Sequence, residues 1–489
     1  MSMNRICRST TRIHRVCNGG QQRSFAYAGF IFRHLCLHAP RQAWRTPFFL
    51  IALVAFGLCQ TPAWAQTTKG KKDTTQKPQP IDDLKIDSEK LPANFQPPQE
   101  KLAIMELEKP IASKEEMDKL KKDYVNKFHK ARNEVDNSDA AKKVIEKSIR
   151  HKLATLTLKE SLPNLPQLHK QFMEQTAAVV NPAQRPANLL AFNTHTNEEI
   201  VKQIPELLKN NFYVRLHAVL ILGEMDYGPA FAPLLEVIQA KDIHEDEVSG
   251  QPPAIKIAAA MGLIRILQFG NPPPIPKDRA AIARAVVDQL ADTKSHWWYQ
   301  IRLIEVLRYC DIPGVDALNN NKPFVVDSLT SVIKDADRSW LVRTKACYAL
   351  GRVPLPPSVV TNDVVMVVAD CALQLSTAAA ANPKKAAWKA CFWDIYLAFH
   401  ESDAGKIKDR DAENKLAGGF LARIKNVAQP AYNLIVPLVN DVLNDKAPDA
   451  SGRQKLESFV RPGGPVLAAP ADVKDKPAAT NGKNKGPNT

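Results

Sequence analysis

Apolar residues in the middle of the chain recur at offsets that place them on one face of an α-helix. The clearest example starts at residue 342, with apolar side chains at offsets 0, 4, 7, 8 and 11. These residues are Val342, Ala346, Ala349, Leu350 and Val353. The spacing predicts a helix that is buried along one stripe. Because the same offsets recur from Val214 and from Ile255, the pattern indicates a repeated helix.

The register of the third copy depends on which residue begins it. An alignment on Arg302 would put Glu305 in a small apolar position and Arg308 in the stripe. The apolar stripe therefore favours a start at Tyr299. The fifth copy starts at Trp388. In chain order the five starts are Val214, Ile255, Tyr299, Val342 and Trp388, separated by 41, 44, 43 and 46 residues.

A second apolar helix precedes each copy, so the repeating unit is a helix pair. Pairs of this length are typical of HEAT and armadillo arrays. Residues 214–223 and 342–351 resemble the second helix of a HEAT repeat, whose pattern is V-R-x-x-A-x-x-A-L-G. The resemblance covers about residues 195–445 and is looser in the third copy, where Gln300 replaces the arginine. It implies an all-α fold, an α-solenoid of about five to six HEAT-like helix pairs.

The resemblance also bears on single residues and on the end of the array. It implies that Arg215 and Arg343 bond within the stack rather than to a ligand. A sixth pair, 411–427 and 431–443, would close the array. Stacked pairs bury one continuous core, and each pair depends on its neighbours for stability.

The segments on either side of the array differ from it in composition. Residues 66–110 are rich in Pro and Lys and poor in large apolar residues, which predicts a disordered linker. Residues 111–194 predict an N-terminal helical region, with a capping box at 113–116. Residues 446–489 are rich in Pro, Ala, Asn and Lys, so we expect a disordered basic tail there.

The N-terminal segment, residues 1–65, has its features in the order found in export signals. An apolar run of thirteen residues, 47–59, follows two arginines and precedes Ala-Trp-Ala at 63–65. We expect cleavage between Ala65 and Gln66 and a secreted protein, periplasmic or extracellular, that meets the membrane only through this segment. The run is too short to cross a bilayer comfortably. The long Arg-rich stretch upstream leaves an organelle transit peptide as the alternative.

A net charge of +15 would by itself suggest a nucleic-acid partner. The distribution of this charge along the chain does not support that interpretation. Residues 1–65 hold eight arginines and no Lys, Asp or Glu, and the last forty residues add further positive charge. The region between them is close to neutral. Nucleic acid is therefore not the expected partner.

Motifs for catalysis or cofactor binding do not stand out. The sequence contains no P-loop, G-x-G-x-x-G, G-x-S-x-G or H-E-x-x-H pattern, so we expect no enzyme activity and no cofactor. The best metal candidate is the loop 242–247, which holds Asp242, His244 and three further acids. It does not fit the EF-hand spacing, and a solvated acidic loop is the favoured interpretation. We therefore expect no metal site.

Cysteines and tryptophans offer two weaker leads. Four cysteines follow the signal segment, namely Cys310, Cys347, Cys371 and Cys391. An exported protein could bridge Cys371 to Cys391, but buried free thiols are favoured because the chain is not rich in Cys. Trp297 and Trp298, at a helix start, are the candidate partner-binding residues, and packing between repeats is the favoured alternative for them.

Together these features predict an exported, non-catalytic scaffold that binds a protein partner over an extended solenoid surface. Two alternatives remain. One is a lyase-like enzyme of the HEAT class, which would need titratable residues clustered on one face. The other is a binder of nucleic acid or an acidic wall polymer through the Lys-rich tail, which would bind in a salt-dependent way. The sequence leaves the identity of the partner and the oligomeric state open.

Overall fold

The computed structural model describes part of the chain, and the account below concerns that part. The described residues are 102–177, 186–243, 247–316, 321–383, 385, 387–400 and 418–462. They belong to one unit, Ala93–Thr489. The predicted cleavage site at Ala65 and Gln66, most of the predicted linker and the chain beyond residue 462 lie outside the described residues.

The N-terminal helices begin where the sequence offers capping side chains. The hydroxyl of Ser113 accepts a hydrogen bond from the Glu116 backbone N–H, and Ser138 does the same for Ala141. A π-helical turn at Lys121–Val125 joins the first two helices. The four helices are α1 Lys114–Leu120, α2 Asn126–Glu134, α3 Asp139–Leu156 and α4 Leu165–Thr176.

Helix pairs follow through most of the remaining described chain. The first helices of the pairs are α5 Pro186–Gln203, α7 Phe231–Gln239, α9 Pro276–Leu290, α11 Phe324–Lys334 and α13 Thr361–Ala381. The second helices are α6 Phe212–Glu224, α8 Pro253–Phe269, α10 Trp297–Cys310, α12 Trp340–Leu350 and α14 Ala387–Phe399. Pro253 and Pro276 occupy first helical positions, where a missing N–H costs nothing.

Three helices form the last described part of the chain, and one small β-hairpin lies earlier in it. The helices are α15 Phe420–Arg423, α16 Lys425–Leu443 and α17 Ala450–Val460. The hairpin pairs β1 Val315–Asp316 with β2 Lys322–Pro323 in antiparallel fashion. Helix therefore dominates the described residues, which confirms the all-α fold class at this coarse level.

Helices in corresponding positions pack against one another in sequence. The second helices α6, α8, α10, α12, α14 and α16 each contact the next one, and the first helices α7, α9, α11 and α13 do the same. The two rows continue towards the N-terminus, because α4 contacts α6 and α3 contacts α5. One hydrophobic cluster runs through the whole set, from Ile104 to Leu456.

The predicted register of the third copy is confirmed by burial. Tyr299, Leu303, Val306, Leu307 and Cys310 are all buried, at 3% exposure or less. In the fifth copy the stripe is buried at four of its five positions, and Tyr396 is only partly covered. The apolar stripe therefore fixed the orientation of these helices better than the arginine pattern would have done.

Three segments differ from the sequence-based expectations. Helix α16 begins at Lys425 and runs through Pro430 and Pro437, whereas the second helix of the sixth pair was expected at 431–443. The first seven residues of the expected first helix, 411–427, lie outside the described residues, which resume at residue 418. Burial of Lys425–Leu443 against α14 explains why the prolines do not end the helix there.

The other two differences concern segments expected to be disordered. Ile104 is fully buried in the main core, although 66–110 is predicted as a linker. Helix α17 lies within the predicted tail 446–489 and packs on α13 and α16, where Leu456 is fully buried. In both cases a few apolar side chains on one face outweigh an otherwise polar composition.

One described helix, α13, is long and apolar enough to cross a membrane by length and composition. Its 18-residue apolar window is 56% buried within the protein. The helix packs against α11, α16 and α17, so its apolar surface is largely accounted for by neighbouring helices.

Candidate partner-binding surface

The second helices turn one set of side chains away from the apolar stripe. Six residues beyond each start, the five helices carry Leu220, Met261, Glu305, Tyr348 and Asp394. Since these helices pack side by side, the positions follow one another across a single face. The face is apolar on α6 and α8 and charged from α10 onward.

On α10 an arginine is held between an aromatic ring and a carboxylate. The Arg302 guanidinium lies 4.6 Å from the centre of the Trp298 ring, and its Nη1 is 2.6 Å from Glu305 Oε2. Both charged side chains are largely covered, at 21% and 18% exposure. Stacking and ion pairing together fix the orientation of this guanidinium.

An ion pair joins α12 to α14 on the same face. Lys345 Nζ lies 2.8 Å from Asp394 Oδ1, and the Asp394 side chain is only 8% exposed. Burial acts to lower the pKa of Lys345, but the carboxylates of Asp394 and Glu305 outweigh it and raise that pKa above its ordinary value. Lys345 is therefore charged at neutral pH.

Tyr348 connects the charged groups of α10 with those of α12. Arg308 Nη1 donates to the Tyr348 hydroxyl at 2.6 Å, while Nη2 donates to the Tyr309 hydroxyl at 2.7 Å. The Arg308 guanidinium also stacks on both rings, at 4.7 and 4.3 Å from their centres. Lys345 Nζ also lies over the Tyr348 ring, 5.4 Å from its centre.

We call these groups the charged strip, which consists of Arg302, Glu305, Arg308, Lys345, Tyr348 and Asp394. Burying charges costs several kcal/mol per ion, and well-packed apolar residues of similar size are often at least as stabilising. A largely covered set of paired charges is therefore a stronger indication of function than of stability. Its three cations exceed its two carboxylates by one.

Apolar and aromatic side chains lie at both ends of the charged strip. On α8, Met261 is 48% exposed and Phe269 is 50% exposed. On α14, Trp393 is 37% exposed and stacks on Tyr396, with ring centres 5.1 Å apart. Aromatic residues, Met and Arg are the side chains that protein interfaces favour.

The two tryptophans that the sequence singles out have different positions. Trp297 is 3% exposed and belongs to the core, so packing is its role in this structure. Trp298 is partly exposed and stacks on Arg302 at the edge of the charged strip. Only Trp298 lies where a partner could reach it.

The two arginines for which the sequence suggested internal bonding, Arg215 and Arg343, do bond within the protein. Arg215 donates through Nη1 to the Gly250 carbonyl and through Nη2 to the Val248 carbonyl, both at 2.7 Å. Arg343 donates through Nε to the Ile333 carbonyl at 2.8 Å. Both arginines therefore make hydrogen bonds inside the protein, as expected, and Arg343 does so through Nε and Nη2.

The four cysteines Cys310, Cys347, Cys371 and Cys391 are buried free thiols in this structure. Burial raises the pKa of Cys310 and of Cys391 to about 12, so these thiols are protonated and unreactive at neutral pH.

The acidic loop considered as a metal site lies partly outside the described residues, since 244–246 are among those left out. Asp242, which is described, pairs with Lys256, whose side chain is 3% exposed. Within the described residues no cluster of His, Cys, Asp and Glu has the arrangement of a metal site.

Sequence reasoning missed most of the charged strip. The signal that could have found it is the helical register itself. Offsets three and six from the starts at Tyr299 and Val342 give Arg302, Glu305 and Lys345 with Tyr348. Charged and aromatic residues at equal offsets in neighbouring repeats lie on one face. Comparisons with protein-family models, curated proteins and solved structures gave no match for this chain.

Proposed function

We propose that this chain is an exported, non-catalytic binding protein whose helix pairs form a HEAT-like α-solenoid. The serial packing of second helices on second helices, and of first helices on first helices, supports the solenoid. The order of basic, apolar and small residues in the N-terminal segment supports export to the periplasm or the exterior.

The surface that binds the partner is the face of α8, α10, α12 and α14 around the charged strip. The observation that carries this proposal is the set of oriented, largely covered charges, with exposed Met261 and Trp393 on the flanking helices. A protein partner fits this surface best, because protein interfaces are enriched in the aromatic, Met and Arg side chains found here. No bond is made or broken in this role.

Site-directed photo-crosslinking in the source cell tests the proposal. Trp393 in the full chain is replaced by p-benzoylphenylalanine, and Val360, 60% exposed just before α13, receives the same replacement as a matched control. We expect a discrete crosslinked protein at position 393 that persists at high salt and is missing at position 360. Equal capture at both positions, or capture of nothing but salt-labile nucleic acid or wall polymer, would contradict it.

The mass of the mature protein tests export separately. We expect the purified cellular protein to begin at Gln66. A mature chain that retains residues 1–65 would show that the export part of the proposal is wrong, whatever the crosslinking reveals.

A further inference from the structure

A cleft of about 340 Å³ opens between α11, α12, α13 and the C-terminal end of α17. This volume lies at the lower end of the range for small-molecule sites. Apolar side chains, among them Met366 and Val460, form part of its wall. The cleft shares no residue with the charged strip, and its function does not depend on the proposal above.

A buried arginine lines the cleft with one nitrogen left over. Arg343 is 4% exposed, stacks on Trp340 with 4.3 Å to the ring centre, and donates through Nε to Ile333 and through Nη2 to Gln374. Within the described residues its Nη1 makes no hydrogen bond or ion pair. Since a guanidinium has five N–H donors in one plane, this nitrogen can still bind an acceptor.

A chain of hydrogen bonds holds the polar wall in place. The Gln374 side-chain oxygen accepts from Arg343 Nη2 at 2.7 Å, and its nitrogen donates to Asp370 Oδ2 at 2.6 Å. The other oxygen of Asp370 lies 3.1 Å from Arg461 Nη2, just beyond α17. The negative charge of Asp370 is thus balanced by Arg461, so it does not balance the positive charge of Arg343.

The charge around the cleft is therefore positive. Lys334 also lines it and has no ion-pair partner among the residues described. Two cations, Arg343 and Lys334, and one carboxylate, that of Asp370, line the cleft, and Arg461 pairs with Asp370. An anionic group would find an oriented guanidinium and an ammonium in the same cleft.

We propose that this cleft binds a small amphipathic carboxylate, which pairs with Arg343 Nη1 and Lys334 while its apolar part packs on Met366 and Val460. A carboxylate matches the planar guanidinium better than a neutral acceptor does. The same chemistry could come from a free acid or from the C-terminus of a peptide, and the experiment separates these two sources.

Isothermal titration of the full chain uses phenylacetate as the probe and neutral phenylacetamide as its isosteric control. We expect the acid to bind and the amide to bind at least about tenfold more weakly, because the charged hydrogen bond is lost. A second pair of probes, acetyl-Ala-Ala-Leu with a free or an amidated C-terminus, tests the peptide source. Tighter binding of the free peptide than of phenylacetate identifies the source as a peptide C-terminus, and weaker binding identifies a free acid.

Two variants locate the binding. Met366→Trp fills the cleft and should abolish phenylacetate binding, whereas Leu190→Trp, on an exposed residue of α5, should leave it unchanged. Lys334→Gln alters only an exposed side chain, so folding is kept, and should weaken binding about tenfold. Absence of phenylacetate binding, equal binding of the amide, or full binding by the Met366→Trp variant would each overturn the proposal.

Discussion

At the residue scale, two buried histidines give the protein a defined response to acid. His169 on α4 and His217 on α6 face each other with their Nδ1 atoms 3.1 Å apart, and His169 Nε2 lies 3.3 Å from Glu224. Arg265 on α8 and Asp226 form a second ion pair beside them, at 2.7 Å. Burial, reinforced by a charge on His169, lowers the pKa of His217 from 6.5 to about 4.

Because the pKa of His217 is lowered in the folded state, the protein should lose stability as the pH falls. A histidine with a lowered pKa in the folded state binds its proton more readily when unfolded, so its neutral form stabilises the fold above pH 6.5. We expect the free energy of unfolding to fall by about 3 kcal/mol as the pH drops from 6.5 to 4. Urea unfolding followed by circular dichroism at several pH values measures this loss.

The His217→Gln variant should lose that part of the pH dependence. The matched control is His195→Gln, which changes a partly exposed histidine away from the pair. If the variant and the wild type lose stability in parallel across this window, His217 does not act as described. The sequence could not supply this pair, because 48 residues separate the two histidines and α4 lies outside the predicted repeats.

At the element scale, α6 and α8 approach each other through two glycines. A Cβ atom added to Gly223 would lie 2.8 Å from the Cα of Gly262, which is closer than side chains come to a backbone. Gly223→Ala should therefore force the helices apart and lower the free energy of unfolding by about 1–2 kcal/mol, even after the helix preference of Ala is counted. Thermal unfolding followed by circular dichroism checks this.

Gly452→Ala in α17 is the control for that substitution. Its added methyl group would meet the flexible end of Leu438, at 3.0 Å, rather than a backbone atom. We expect no loss of stability there, because Leu438 can move and Ala favours the helix. Equal behaviour of the two variants would mean that the close approach of α6 and α8 is not what requires Gly223.

The element-level predictions succeeded where periodicity and capping agreed. The capping box at Ser113 marked a helix start, and the stripe from Tyr299 gave the correct buried face. They failed around Pro430, because a proline signals a helix end locally while packing against α14 decides whether the helix continues. A local signal cannot anticipate a tertiary contact.

At the scale of the whole molecule, the stability of the two rows of helices depends on the helices that cover the apolar surface at their ends. Helix α17 packs on α13, the last first helix described, and on α16. The sequence did not reveal it, since Leu456, Phe459 and Val460 are few large apolar residues in a long polar stretch. Composition averaged over 446–489 hides one short amphipathic helix.

A chain that stops after residue 445 tests whether α17 closes the core. Removing it exposes apolar surface on α13 and α16 and loses the burial of Leu456, which alone contributes about 1.5–3 kcal/mol. We expect the free energy of unfolding to fall by at least about 2 kcal/mol in urea titrations. Because α17 contacts α13 and α16, we expect these two helices to lose stability before the others.

The control for that truncation stops after residue 462, which keeps α17 and the Arg461 pair with Asp370. Hydrogen exchange should then show α13 amides protected in the longer chain and unprotected in the shorter one, while amides of α8 are unchanged in both. Equal protection of α13 in the two chains would mean that α17 rests on the array without stabilising it. Loss of protection throughout the described helices would instead mean that the array unfolds as one cooperative unit, and the contribution of α17 would then appear in every helix.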